Sequence, residues 1–184
     1  GGGVAEGLDA VGAGHVGRAI VNALAPLNVH VDWIDERDEE FPPDSALPAH
    51  TRKVCVDSLE AEVKVAPRGA FYLVLTHRHD LDLRIAEAIL RRGDFSFFGL
   101  IGSQTKRARF IHRFEERGIA AQAIARMTCP IGVPGIEGKE PEVIAASVVA
   151  QLLQAASAAC GPSRAQAQAS ASLRSAATSS TLTV

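Results

Sequence analysis

Residues 12–17 read Gly12-Ala13-Gly14-His15-Val16-Gly17, and the run Val29-His30-Val31-Asp32-Trp33-Ile34 that follows ends at Asp35. A Gly-x-Gly-x-x-Gly turn with an acid about twenty positions on is the dinucleotide-binding fingerprint. Read this way, Gly12 makes the tight turn out of a first strand, Gly14 lets the backbone approach a pyrophosphate, and Gly17 lets the first helix lie close on the sheet. The free N–H groups at the helix start face the phosphates, and His15 beside them either touches a phosphate or packs. Asp35 accepts from a ribose 2′-hydroxyl, while Arg37, two residues on, could accommodate a 2′-phosphate instead. The hexapeptide alone is weak. Joined to an amphipathic helix and an acid at the next strand end it is much stronger, and it fixes a fold better than a function.

Working outward, Leu8–Val11 is expected as the first strand, although Asp9 and Ala10 fit poorly in a buried parallel strand. Val16, Ala19, Ile20, Ala23 and Leu24 recur at helical spacing, so a helix is predicted from about His15 to Ala25, stopped by Pro26. Glu36–His50 reads as an acidic, proline-rich loop, and Lys53–Val56 as a short strand. Phe71–Leu75 is the clearest buried strand, followed by a helix with Leu81, Ile85, Ala88 and Ile89 on one face and Gly93 as its C-terminal cap. Phe97–Ile101 is the next strand, Gly102-Ser103 opens a basic helix, Arg126–Thr128 is a short strand, and a last helix starts at Pro141. Alternating strands and helices predict a single doubly wound α/β domain of Rossmann type, its sheet parallel and its strand ends gathered on one edge. Residues 1–7 are expected to be a flexible start, 8–154 the domain, and 155–184 an Ala/Ser-rich tail without stable structure after one or two further helical turns.

The bulk numbers suit a globular domain: 184 residues, 47% hydrophobic, formal net charge −2. That charge gives no support for nucleic-acid or membrane-surface binding. No run in the sequence approaches the roughly 18 consecutive apolar residues of a membrane span, and the first residues do not read as a signal peptide. Three cysteines, Cys55, Cys129 and Cys160, are odd in number and far apart, which argues for free thiols in the cytoplasm.

Several residues at the expected strand ends could carry chemistry. His77 and His79, two apart beside Asp80, are either polar groups facing a ligand or loop residues before a helix that Asp80 caps; a metal site is the weaker reading, because no third ligand is near in sequence. Ser103, Lys106 and Arg107 open a helix directly after a strand, a place suited to an anion, or else form a solvated basic face. Cys129, in a Gly/Pro-rich loop, reads as a small buried residue more than as a reactive thiol. Lys139 reads as solvated, and no nucleophile–base–acid set can be assigned.

Taken together, Gly12–Ala19, Trp33–Arg37, Thr76–Asp82, Gly99–Arg107, Cys129–Gly132 and Gly138–Pro141 resemble the C-terminal domain of the xanthine dehydrogenase accessory protein family (XdhC/CoxI type). The resemblance covers most of residues 11–153, and its Gly-Ser-x-x-Lys-Arg and Gly-Lys-Glu-Pro segments are its most specific part. It implies a chaperone that binds the molybdenum cofactor (molybdopterin), assists its sulfuration and delivers it to xanthine dehydrogenase. Such a protein is not an established redox catalyst; the implied partners are xanthine dehydrogenase and a cysteine desulfurase, and family members tend to form homo-oligomers. In that reading Gly12, Gly14 and Gly17 hold a phosphate, and Ser103, Lys106 and Arg107 add anion contacts. Family members usually carry a preceding domain with its own cysteine motif; here the fingerprint opens at residue 12, so that domain is expected to be absent. Two alternatives stay open: an NAD(P)-dependent oxidoreductase using the same glycines, and a truncated, non-catalytic interaction module.

Overall fold

The computed structural model of the chain describes residues 3–27, 29–76, 78–159 and 181–183, with side chains described from Gly14 to Ala159 apart from positions 28 and 77. His77 and Cys160 therefore lie outside the described residues. The elements in chain order are α1 (Gly3–Leu24), β1 (His30–Asp35), β2 (Thr51–Cys55), α2 (Leu59–Val65), β3 (Phe71–Val74), α3 (His79–Arg92), β4 (Phe97–Leu100), α4 (Gln104–Glu116), α5 (Ala121–Ala125), β5 (Met127–Thr128), α6 (Pro141–Ala159) and β6 (Thr181–Thr183).

All six strands pair in parallel, in the order β2-β1-β6-β3-β4-β5. β3 and β4 are buried along their whole length, because both sheet faces are covered by helices. Successive side chains on a strand point to opposite faces, and the core divides accordingly. Tyr72, Val74, Phe98 and Leu100 pack with residues of α2, α3, α4 and α5. Phe71, Leu73 and Phe97 face the other way, onto Val16, Ile20 and Leu24 of α1 and Val148 and Leu152 of α6. The doubly wound α/β architecture expected from the sequence is thus present, in one domain.

Local signals account for most boundaries. Gly93 ends α3 at φ 67°, a left-handed cap that glycine adopts without a Cβ penalty, and its N–H donates to the Ile89 carbonyl. Ser58 and Ser103 cap α2 and α4 through their side-chain oxygens. α3 starts two residues earlier than Asp80 as a cap would dictate: Arg78 is its N-cap, without a side-chain cap bond.

Two expectations fail. Leu8–Val11 forms no strand: α1 runs unbroken from Gly3 to Leu24, so Gly12, Gly14, His15 and Gly17 lie within a helix and not in a turn. Asp9 and Ala10 fit helix better than the interior of a central strand, which favours β-branched residues. α6 reaches Ala159, as the expected further turns require, but the tail departs from expectation at Thr181–Thr183, which form β6 between β1 and β3. α6 is long and apolar enough, by length and composition, to cross a membrane, although Glu142, Gln151 and Gln154 interrupt it, so it is not a run of consecutive apolar residues. Here its Ala145, Val148, Val149 and Leu152 are buried in the core cluster they share with α1.

Candidate functional site

A parallel sheet carries all its strand C-terminal ends on one edge, where open α/β sheets bind ligands. Among the segments there are Asp35 to Glu40 at the end of β1, Thr76 and Arg78 after β3, Gly102-Ser103 after β4, and Cys129-Pro130 after β5. A cavity of about 80 Å³ lies between the ends of β1 and β3, lined among others by Gly14, Gly17, Trp33, Asp35, Arg37 and Thr76.

Asp35 stands at the end of β1 as the fingerprint requires, but its carboxylate is already engaged. It accepts from the Arg37 backbone N–H at 2.8 Å and from Arg37 Nε and Nη2 at 3.2 Å each. Arg37 Nη1 also lies 3.3 Å from Glu40 Oε1. Hydrogen bonding to Asp35 holds the Arg37 guanidinium above its ordinary value, against a lowering by burial. Arg18 of α1 donates to the Glu40 carbonyl at 2.8 Å, fastening the helix to this loop. Glu36, next to Asp35, accepts from Arg78 Nη1 at 2.7 Å and so ties the end of β1 to the loop after β3.

The centre of the edge is a buried ion pair. Asp82, on α3, is fully buried, and Lys106, on α4, is nearly so. Lys106 Nζ donates to Asp82 Oδ2 at 2.6 Å and to the Ile101 carbonyl at 2.8 Å. The Thr76 hydroxyl donates to Asp82 Oδ1 at 2.6 Å and accepts from the Arg78 N–H at 3.2 Å. Lys106 Nζ also lies 5.3 Å from the centre of the Phe110 ring, within the range of a cation–π attraction. Burial raises the Asp82 carboxyl above the usual aspartate range, and Lys106 and Thr76 pull it part of the way back. The network joins the loops after β3 and β4 and holds α3 against α4.

This arrangement corrects the sequence reading of the Gly102-Ser103 turn. Lys106 neither reaches for an anion at the helix start nor forms part of a solvated basic face: it points inward and its charge is spent on Asp82. A Cβ on Gly102 would come within 2.6 Å of Lys106 Cδ, so glycine at 102 makes room for the lysine stem. Ser103 accepts from the Lys106 N–H at 3.1 Å as an ordinary helix cap. Arg107 is half-buried, while His15 and His79 are exposed. Among the described residues, no group of three or more His, Cys, Asp or Glu side chains is arranged to hold a metal ion.

Beyond β5, Cys129 is buried, and burial pushes its thiol up. The following loop is pinned to α6: Gln151 both accepts from the Gly132 N–H at 2.8 Å and donates to its carbonyl at 3.0 Å, and Ser147 Oγ accepts from the Val133 N–H at 2.7 Å. Reading the residues singly missed Asp82 and Thr76. The signal was an acid next to Leu81 on the helix stripe that continues through Ile85 and Ile89, all of them buried. An acid there requires a buried partner, and Lys106 is that partner.

Comparison with known proteins agrees with this fold. The model of the XdhC Rossmann domain matches residues 8–152. A curated relative, described as an uncharacterized protein YqeB of Escherichia coli K12, is 33% identical over 150 residues, 78% of this chain. The matched region amounts to 26% of that relative's length. A crystal structure described as a xanthine dehydrogenase from Bacillus halodurans superposes with a TM-score of 0.63 at 23% identity, over 79% of this chain and 41% of its own. At that identity the likeness speaks for the fold alone. With the acid at the end of β1 and the parallel sheet in place, the family match over residues 8–152 means that the chain belongs to the XdhC family and carries its Rossmann domain.

Proposed function

We propose that the domain is an accessory module for a xanthine dehydrogenase-type molybdenum enzyme, acting through the strand-end edge of its sheet. The observation that carries this reading is the match to the XdhC Rossmann domain across residues 8–152. The family resemblance supplies the rest of the proposal: xanthine dehydrogenase and a cysteine desulfurase as partners, the molybdenum cofactor as cargo, and the cytoplasm as location. Cys55 and Cys129, both free, are compatible with that compartment.

In this conformation the edge does not fit the molybdenum cofactor. Ligand pockets usually enclose about 300–1,000 Å³, and the cavity between β1 and β3 offers about 80 Å³. A phosphate needs uncommitted donors, yet Arg37 is held by Asp35 and Glu40, and Lys106 by Asp82. The glycine segment is helical, so its N–H groups are not presented as a turn. No cofactor-bound step is therefore assigned to these residues. What the edge offers as it stands is a surface of strand-end loops, cross-linked by Glu36–Arg78 and Asp82–Lys106 and fit to meet a partner in a fixed geometry.

The test is reconstitution. The chain is added to cofactor-free xanthine dehydrogenase with molybdenum cofactor and a sulfur source, and enzyme activity is followed over time. Activation that rises with the chain, and weakens in Arg107→Ala, is the expected result. No activation, together with hydride transfer from NADH to a substrate, would replace this reading by an oxidoreductase. No activation and no co-purifying ligand would leave only an interaction module.

A further inference from the structure

At the end of the sheet opposite the strand-end edge, two histidines stand side by side. His30 opens β1, and His50 immediately precedes β2. The two strands run parallel with Val31 beside Thr51, so one step back in the same register His30 stands beside His50. The Val31 N–H donates to the His50 carbonyl at 2.9 Å and fixes the end of the loop against β1. On its other side His30 is paired with Thr181 of β6. The two imidazole rings are 5.2 Å apart between centroids and nearly perpendicular, at 82°. Both side chains are exposed. His50 has a left-handed backbone at φ 63°, alone among the described non-glycine residues, a conformation that histidine adopts more readily than most side chains.

Two imidazoles at this spacing match the bite of a single metal ion. Zn–N bonds of about 2.0–2.1 Å put each ring centroid about 3.2 Å from the ion, so two rings at the tetrahedral angle have centroids about 5.2 Å apart. The mutual tilt of such rings is free, because each imidazole can turn about its own metal–nitrogen bond. The strand register already supplies the spacing, so binding does not have to order the backbone that carries the ligands. Asp32, the next residue on the same face of β1, is held by Arg52 through two bonds of 3.0 Å and keeps its carboxylate out of the site. The donors select the ion: imidazole nitrogen suits Zn²⁺, Cu²⁺ and Ni²⁺, whereas Mg²⁺ and Ca²⁺ take oxygen.

We propose that His30 and His50 form a two-histidine site for a divalent transition-metal cation of the Zn²⁺ type, with water in the remaining coordination positions. The ion bridges the start of β1 and the loop that enters β2, and so staples two segments that only the folded chain brings together. Binding therefore favours the folded state. Two protein ligands hold an ion more weakly than the four of a structural zinc centre, so the ion exchanges and its occupancy follows the metal available. The site lies at the far end of the strands from Asp35, Asp82 and Lys106 and stands apart from the accessory role.

The experiment is a calorimetric titration of the full chain with zinc chloride, its accessible thiols first capped with iodoacetamide so that exposed Cys55 contributes nothing. The expected result is one ion per chain, with a Kd that rises about tenfold or more in His30→Thr and equally in His50→Asn. Both substitutions suit their backbones, since threonine favours strands and asparagine tolerates the left-handed region, so without metal both variants should melt as the parent does. Zinc should raise the melting temperature of the parent and leave that of the variants unmoved. Magnesium should give no heat, and His112→Ala, on α4, should bind zinc as the parent does. Affinity lost in neither or only one of the two variants, or lost in His112→Ala, would overturn the proposal. A readout that needs no variant is the electron paramagnetic resonance spectrum of the capped parent with one equivalent of Cu²⁺. Coupling to two nitrogens is expected, and oxygen-only or single-nitrogen coordination would show two solvated rings in edge contact and no metal site.

Discussion

Removing the ammonium of Lys106 should unsettle the whole strand-end edge. Asp82 is fully buried and its two oxygens accept from Lys106 and Thr76. Lys106→Ala leaves this carboxylate with one neutral donor and no counter-charge. Breaking a buried pair by deleting one partner typically destabilises by about 3–5 kcal/mol. For a domain of this size each kcal/mol lowers the melting temperature by about 2–4 °C, so the expected drop is about 6–20 °C. A solvated lysine at a helix start would give a change within about 0.5 kcal/mol, so the two readings are well separated. The pH dependence adds a second criterion. Burial already raises the Asp82 carboxyl, and the variant loses the cation that draws it back, so the folded-state value rises further. Between the unfolded value, about 3.9, and that raised value the folded chain binds more protons than the unfolded one. Stability then falls as pH increases through this window, and the deficit should be smaller at about pH 5 than at about pH 8. Urea unfolding at both pH values measures it. Asp82→Leu combined with Lys106→Met should recover much of the loss, because an apolar pair of similar size leaves no charge unpaired. A deficit within about 0.5 kcal/mol, or one that deepens as the pH falls, would refute the argument.

Other consequences are equally direct. In Gly99→Ala the new methyl would meet Ile131 Cγ2 at 2.5 Å and Phe97 Cε1 at 2.9 Å; overpacking of this kind should cost about 1–3 kcal/mol, read as a lower melting temperature. Arg37→Ala frees the Asp35 oxygens, so calorimetry should show a stronger preference for NAD over NADP, if either binds, and tighter NADP binding would contradict this. Iodoacetamide should label exposed Cys55 well before Cys129, whose burial both hides the thiol and leaves less of it as thiolate at neutral pH; peptide mapping at short times gives the order.

The parts of the fold legible in the sequence were those where local chemistry and tertiary demand agree. Phe71–Val74 and Phe97–Leu100 are apolar on every residue because both sheet faces are covered. Gly93 and Pro141 mark helix ends through their backbone restrictions alone. The first strand was misread because the glycine hexapeptide implies a strand before it, while Asp9 and Ala10 supply little to hold one in a sheet centre. β6 was invisible because Thr181–Thr183 gain their pairing from β1 and β3, a contact between distant parts of the chain that no local pattern announces. At the site, the position of Asp35 was legible, but its capture by Arg37 was not. Lys106 was misjudged for a related reason: a basic residue at a helix start looks solvated until Asp82, 24 positions away, is known to face it.

The lysine stem lying over Gly102 has a consequence for how this edge can change over evolutionary time. Position 102 is confined to glycine only while a long side chain from position 106 crosses it, and that chain is needed only while an acid sits at 82. The three positions therefore form one heritable unit. A relative that replaces Asp82 by an apolar residue is released from lysine at 106 and, with it, from glycine at 102. Its loop after β4 could then carry a side chain of its own, and the edge would acquire a different surface through substitutions that begin in the core.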